Sequence, residues 1–270
     1  MRGIGIDELK QLQLEILVKV HEFCKKNNID YFLGYGTLIG AVRHKGYIPW
    51  DDDIDIGMPR PSYDKFLQIF NGKVENLYVI APELNWNYYA PYANICDSRT
   101  LLDEGDNDHR GIEVGVKIDV YPIDGVPENE EDYKKCKKKV LFYNRILSIK
   151  RTKKWFPKGG SFLGYVRYIF DKIVYMLIPY SYIQKRIYSQ ATNNKFSESK
   201  YVDEFVFGPK YTRIEREVFE SYIDVDFEGY MLKTVKEYDK LLRLGYGDYM
   251  KLPPKEQQIT HHNFHAFWKD

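Results

Sequence analysis

The chain has 270 residues, 44% hydrophobic and 29% charged, with a net charge of +1. That length allows one large domain or a core domain carrying an insertion, and the near-neutral charge excludes a global attraction to nucleic acid. The three scattered cysteines, Cys24, Cys96 and Cys136, include no CxxC pair and so point to neither a zinc site nor a disulfide framework.

A reducing, cytoplasmic setting is therefore expected. The N-terminal MRGIGIDELK lacks an apolar signal region. No uncharged run reaches the ~18–20 residues of a spanning helix. From Asp7 to Asn27, Leu9, Leu12, Ile16, Val20 and Phe23 recur at three- and four-residue steps, which predicts an amphipathic helix capped by Asp7. A short strand, Tyr31–Tyr35, follows. Gly34, Gly36 and Gly40 then surround a turn into a helix over about Thr37–His44. Glycines let backbone approach a ligand closely, and Thr37 near a helix N-terminus suits a phosphate cradle. The spacing matches neither the P-loop nor the dinucleotide fingerprint, and no GKS or GKT occurs.

Next comes PWDDDIDIGM, with aspartates at 51, 52, 53 and 55. The D-I-D-I alternation from Asp53 has the period of a strand. It puts Asp53 and Asp55 on one face, roughly 7 Å apart by strand rise, with Asp51 sharing that face if the strand starts early and Asp52 opposed. Clustered carboxylates repel, and burying them unpaired is costly. A divalent cation bound by oxygen ligands, Mg²⁺ or Mn²⁺, resolves the conflict and suits phosphoryl or nucleotidyl transfer. An EF-hand is excluded: counted from Asp51, its sixth position is Ile56 rather than Gly and its twelfth Ser62 rather than Glu.

Beyond it, a helix opens near Pro61, and Leu77–Ala81 and Pro91–Cys96 read as strands. Arg99 is a candidate phosphate partner or a surface ion pair. Leu101–Arg110 reads as a loop. Gly115–Pro122 reads as a strand whose lone acid, Asp119, is a candidate third metal ligand or a partner for Arg or Lys; Asp124 reads as a turn residue. Lys134–Lys158 then carries eleven Lys and Arg and no acid, followed by an apolar, aromatic run over Ser161–Ile183. That pairing fits peripheral contact with an anionic membrane, or equally a helical insertion whose lysines are solvated. No RNA or DNA motif accompanies it. Short strands are expected at Phe205–Gly208, Ile214–Phe219 and Ser221–Phe227, and a helix at Thr234–Leu244. Of the histidines near the C-terminus, His261 and His262 are candidates to neutralise a phosphate or orient a leaving group.

Several blocks in order, GTLIGAVRHKGYIPWDDDIDIGM, DSRT, IDVYPIDGVP, FEG and YGDYMKLPP, resemble the LicD family. The resemblance covers most of the chain outside roughly 131–200. It implies an α/β (α+β) nucleotidyltransferase-like fold, a mixed sheet flanked by helices, with a catalytic core over 1–130, a basic and aromatic helical insertion over 131–200, and a C-terminal part over 201–270 completing the core. The family includes relatives of fukutin and fukutin-related protein, and its bacterial members move phosphocholine from CDP-choline to a sugar of a teichoic acid or lipopolysaccharide precursor; animal relatives use CDP-ribitol. By that resemblance Asp53 and Asp55 are the DxD metal ligands, Asp119 is the third, and Gly36-Thr37 faces the donor phosphates. Arg43, His44 or Arg99 neutralises developing charge, and Asp51 or Asp119 takes the acceptor proton. The implied partners are a CDP-linked donor and a glycan or lipid-linked acceptor at the inner face of the cell membrane. The zinc element of fukutin-related protein has no counterpart. Two rival readings are a DxD-type glycosyltransferase using a nucleotide sugar and a non-catalytic, membrane-docking cation binder.

Overall fold

The structure is a computed structural model, and it describes residues 1–105, 111–155, 161–208, 212–260 and 264–270. The chain opens with β1 (Arg2–Ile4) and α1 (Ile6–Asn27), then β2 (Phe32–Leu33), α2 (Tyr35–His44), β3 (Asp55–Pro59), α3 (Arg60–Ile69) and β4 (Leu77–Ile80). It continues through β5 (Ala93–Asp97), β6 (Thr100–Asp103) and β7 (Lys117–Val126). Three helices follow, α4 (Glu130–Arg151), α5 (Phe162–Met176) and α6 (Tyr180–Ala191). The last elements are β8 (Tyr201–Asp203), β9 (Ile214–Glu215), β10 (Tyr222–Phe227), β11 (Tyr230–Val235), α7 (Tyr238–Tyr246) and β12 (His265–Trp268). The architecture is α+β.

The main sheet runs β2-β3-β7-β5-β4, with β8 paired to β7 and β9 to β8. Within it β3 and β7 are parallel and the other pairs antiparallel. The register sets Asp55 directly opposite Asp119. Two carboxylates placed 64 positions apart in sequence thus stand side by side on the sheet. Helix α1 packs on β5 and β7, and α3 on β3 and β7. Of the apolar stripe expected on α1, Leu9, Leu12, Ile16 and Val20 are buried and Phe23 packs partly buried against the core. Its N-cap is Gly5 rather than Asp7, which instead lies in the first turn and complements the helix dipole. Asn28 ends the helix in the left-handed region, φ 50°.

Several expectations need correction. Thr100–Asp103 is strand β6, stabilised by antiparallel pairing with β12 more than 160 residues away in sequence. Phe205–Gly208 is a turn, only Ile214–Glu215 of the next expected strand is extended, and the helix expected from Thr234 begins at Tyr238 because Thr234 and Val235 pair with β10. Asp124 is a strand residue: it is fully buried in β7 and accepts two bonds from Arg60, Nε at 2.6 Å and Nη2 at 3.1 Å. Burial raises its pKa against the pull of that guanidinium. This pair locks α3 to the sheet. Nor are the lysines of α4 all solvated: buried Lys137 reaches Asp203 at 2.8 Å, and Lys150 donates to the Tyr175 carbonyl at 2.7 Å.

Candidate active site

A cavity of about 610 Å³ opens where the first turn of α2, the start of β3 and the start of β7 converge. Asp51, Asp53, Asp55 and Asp119 all line it, as does Gly36. Strand β3 begins at Asp55, two residues later than the alternation predicts, so Asp53 reaches the cavity from a loop. That loop is fixed by a backbone bond from the Asp119 N–H to the Ile54 carbonyl at 2.9 Å and by side-chain bonds. Buried Gln13 donates its Nε2 to the Asp52 carbonyl at 3.1 Å and to the Lys117 carbonyl at 3.4 Å, tying the acidic loop to β7. Asp52 is buried and does not line the cavity. Even so, Asp51, Asp52 and Asp53 each offer a carboxylate oxygen within 4.8 Å of the others.

The glycine turn and the acidic loop are one unit. A Cβ on Gly36 would lie 2.5 Å from Asp51 Oδ2, so glycine is needed there for the carboxylate to stand against the start of α2. Thr37 is buried behind this surface, and its Oγ1 accepts the Asp55 N–H at 2.8 Å. It holds the first residue of β3 in place, while Gly36 faces the cavity. Tyr35, the first residue of α2, has φ 48°, a strained conformation for an aromatic residue. Its hydroxyl donates to Glu204 Oε2 across the cavity wall.

The charges are arranged around Asp55. Its Oδ1 is buried and has no hydrogen-bond partner among the described residues. Burial first, then the charges of Asp53, Asp119 and Asp51, hold its carboxyl well above the usual carboxylate range. Asp119 is better supported: its Oδ1 accepts from Lys117 Nζ at 2.9 Å and from the Asn94 amide, and Tyr121 Oη lies 3.4 Å from Oδ2. Lys117 also meets Glu104 at 3.0 Å. Burial works against its charge, but Asp119 and Glu104 outweigh burial and raise its pKa well above the usual lysine value. A buried carboxylate oxygen without a donor, among further carboxylates and on an all-oxygen donor set, fits a hard divalent cation.

The remaining candidates fall elsewhere. Arg43 donates from Nη1 to the Tyr249 carbonyl at 2.6 Å and from Nε to His44 Nε2 at 2.9 Å, and neither residue lines the cavity. His44 packs edge-on against Trp50. Arg99 is held by Asp97 and lies 5.3 Å from the centre of the Trp268 ring, away from the cavity. His261 and His262 lie outside the described residues. Among the described residues, the cationic side chains lining the cavity are Lys117 and Arg151.

Sequence reasoning passed over Lys117, although Lys117 and Asp119, two apart on one strand, necessarily share a face. It also passed over Glu204 and the aromatic wall. Tyr92 and Tyr121 have ring centres 4.5 Å apart, Tyr35 and Tyr121 5.0 Å, and Tyr92 and Phe207 5.1 Å. No local motif marks these rings, which come from four separate segments. Helix α6 braces this wall: Gln184 donates to the Tyr88 and Ala90 carbonyls, both at 2.8 Å. Burial pushes the Glu204 carboxyl up to about 8.

The family described as LicD/FKTN/FKRP, nucleotidyltransferase domain, matches residues 28–100, which contain the glycine turn and the acidic loop. The lipopolysaccharide cholinephosphotransferase LicD of Haemophilus influenzae is 32% identical over 273 residues, covering 99% of both chains. An uncharacterized protein of Rickettsia typhi is 45% identical over 87 residues, 29% of this chain and 28% of that one. The mannosyltransferase regulator 4 of Saccharomyces cerevisiae is 28% identical over 130 residues, 46% of this chain but 11% of its own length. With the end-to-end match to the Haemophilus protein joined to a nucleotidyltransferase-domain match over the acidic loop, the chain belongs to the LicD family.

Proposed function

We propose that the protein transfers phosphocholine from CDP-choline to a sugar hydroxyl of a lipopolysaccharide-type glycan, releasing CMP. The observation that carries this reading is the convergence of Asp51, Asp53, Asp55 and Asp119 on one cavity at the glycine turn, with an unsatisfied buried oxygen on Asp55. The full-length likeness to a lipopolysaccharide cholinephosphotransferase supports the substrate class.

Asp53, Asp55 and Asp119 would hold a divalent cation, Mg²⁺ or Mn²⁺. Bound there, it supplies positive charge to a diphosphate and to the charge that develops on the leaving phosphate. The protein's own groups do the rest. Gly36 and the first turn of α2 present backbone to the donor phosphates. Arg151 and Lys117 supply fixed positive charge in a partly desolvated site, where it acts more strongly than in water. The acceptor oxygen bonds to the phosphorus distal to cytidine, the bond from that phosphorus to the CMP oxygen breaks, and the hydroxyl proton passes to a carboxylate. Asp51 is the candidate acceptor of that proton, because Asp119 is committed to Lys117 and Asn94.

The aromatic wall favours choline over a polyol head group. Tyr35, Tyr92, Tyr121 and Phe207 line the cavity, and a quaternary ammonium is attracted to ring faces. A cytoplasmic site of action goes with the three free thiols, two of them buried. The test is to incubate the protein and Mg²⁺ with a lipopolysaccharide acceptor and, in turn, CDP-choline, CDP-ribitol, CDP-glycerol and UDP-sugars. CMP release from CDP-choline is expected; release of UDP alone would refute the reading.

A further inference from the structure

Helix α5 is turned inside out. In an amphipathic helix of a globular protein, the apolar stripe ordinarily faces the core. Here Phe162, Val166, Phe170, Ile173 and Leu177, spaced four, four, three and four residues apart, form one stripe that faces away from the protein. Phe162, Phe170 and Leu177 are 79%, 65% and 81% exposed. Leu163 and Val174 widen the stripe, and both are exposed. The inward side packs Tyr175 against the core and carries a charge: buried Lys172 donates to the Thr152 carbonyl at 2.6 Å and the Lys154 carbonyl at 2.7 Å. Those bonds fix the helix in this orientation, so rotation cannot bury the stripe without stripping an ammonium of its partners.

The surroundings are basic. From Lys134 to Gln190 the sequence contains one acid, Asp171, and Arg145 meets it at 3.2 Å. Arg167 is exposed on α5 itself, and Lys154, on the segment before α5, and Lys185 and Arg186, on α6 after it, are exposed too. An apolar stripe of this extent in so basic a segment matches the headgroup and acyl layers of an anionic bilayer. At 15 residues α5 is too short to cross one, and no helix among the described residues is long and apolar enough to do so.

We propose that α5 docks the protein on an anionic lipid bilayer, its stripe from Phe162 to Leu177 lying in the interface plane and the surrounding lysines and arginines meeting lipid phosphates. A groove of about 310 Å³, lined by Leu141, Arg145 and Leu147 of α4, whose Arg145 meets Asp171 of α5, shares Arg151 and Phe207 with the catalytic cavity. A glycan acceptor anchored in the same bilayer would reach the cavity along it; this last link, unlike the docking itself, rests on the proposed transferase activity.

The experiment is vesicle flotation of the full chain with phosphatidylcholine alone and with phosphatidylcholine containing phosphatidylglycerol. The protein is expected to float with the anionic vesicles only. A triple Phe162→Ser, Phe170→Ser, Leu177→Ser variant should lose that binding at least tenfold, and so should Leu163→Glu alone. Unchanged thermal unfolding would show that both variants keep the fold. Absence of wild-type flotation overturns the proposal. So does equal binding of wild type and both variants, which would make the contact purely electrostatic. A dimer in light scattering that the triple variant dissociates, without vesicle binding by the wild type, would instead assign the face to a second copy of the chain. None of these readouts depends on CMP release, so failure of docking and failure of the transferase reading are separate results.

Discussion

Replacing Asp53 by Asn should stabilise the metal-free protein and destabilise it relative to wild type once Mg²⁺ is present. A carboxylate oxygen of Asp53 lies within 4.8 Å of one from Asp51 and one from Asp52. Two unit charges at that separation repel by about 3.5 kcal/mol at an effective dielectric constant of about 20. Asp51 and Asp53 are only half-buried, and solvent screening reduces the relief from one substitution to roughly 1–2 kcal/mol. For a chain of this size that corresponds to a rise of roughly 2–6 °C in Tm without divalent cation. A ligand at a hundred times its Kd stabilises the state that binds it by about 2.7 kcal/mol, so Mg²⁺ should lift wild type past the variant, which lacks one of the ligands. Thermal unfolding of both proteins, with chelator and with saturating Mg²⁺, reads this inversion directly. A variant less stable than wild type in chelator, or an equal Mg²⁺ shift in both proteins, would refute the assignment of Asp53 to a cation site. Turnover should fall at least ~100-fold in the same variant, an effect of the size that loss of one electrostatic contact to a transition state produces.

Gly36→Ala should lower CMP release at least ~10-fold with little change in Tm, because its Cβ meets the Asp51 carboxylate rather than the core; full activity would separate the turn from the acidic loop. Gln13→Leu leaves two buried carbonyls without their donor and should cost about 2–4 kcal/mol in denaturant unfolding; a loss under ~1 kcal/mol would mean that other groups hold the loop. Glu204 has a carboxyl pKa raised from 4.5 to about 8, so its contribution to stability is fully present below pH ~4.5 and is lost as pH rises through about 8. Glu204→Gln, which can still accept the Tyr35 hydroxyl, should therefore be more stable than wild type by a margin that widens over that window; parallel stability curves would show that Glu204 ionises normally.

Much of the fold is legible along the chain. The stripe on α1, the helix at α3 and the alternation of β4 depend on neighbours a few residues away, and periodicity reports them. What pairs across long separations escapes it. Strand β6 exists because β12 pairs with it, Asp124 is a strand residue because Arg60 arrives from α3, and Thr234 is extended because β10 lies beside it. The site divides in the same way. Asp51, Asp53, Asp55 and Gly36 lie in one continuous segment and are visible together, whereas Lys117, Glu204 and the tyrosines enter from separate elements and carry no shared spacing.

The amino-acid sequence by itself determined that four carboxylates are crowded into positions 51 to 55 and that a basic, aromatic segment interrupts the chain. Local covalent order settles both, since residues within five positions of one another must be near in space. Only the tertiary structure decided which carboxylates share a cavity and which cations face them. Parallel pairing of β3 with β7 puts Asp119 opposite Asp55, and Arg43 and Arg99 are drawn off to the Tyr249 carbonyl and to Asp97. The orientation of α5 was likewise settled by tertiary contacts: the hydrophobic pattern fixes that it has an apolar stripe, while the bonds of Lys172 to two loop carbonyls fix that the stripe faces outward.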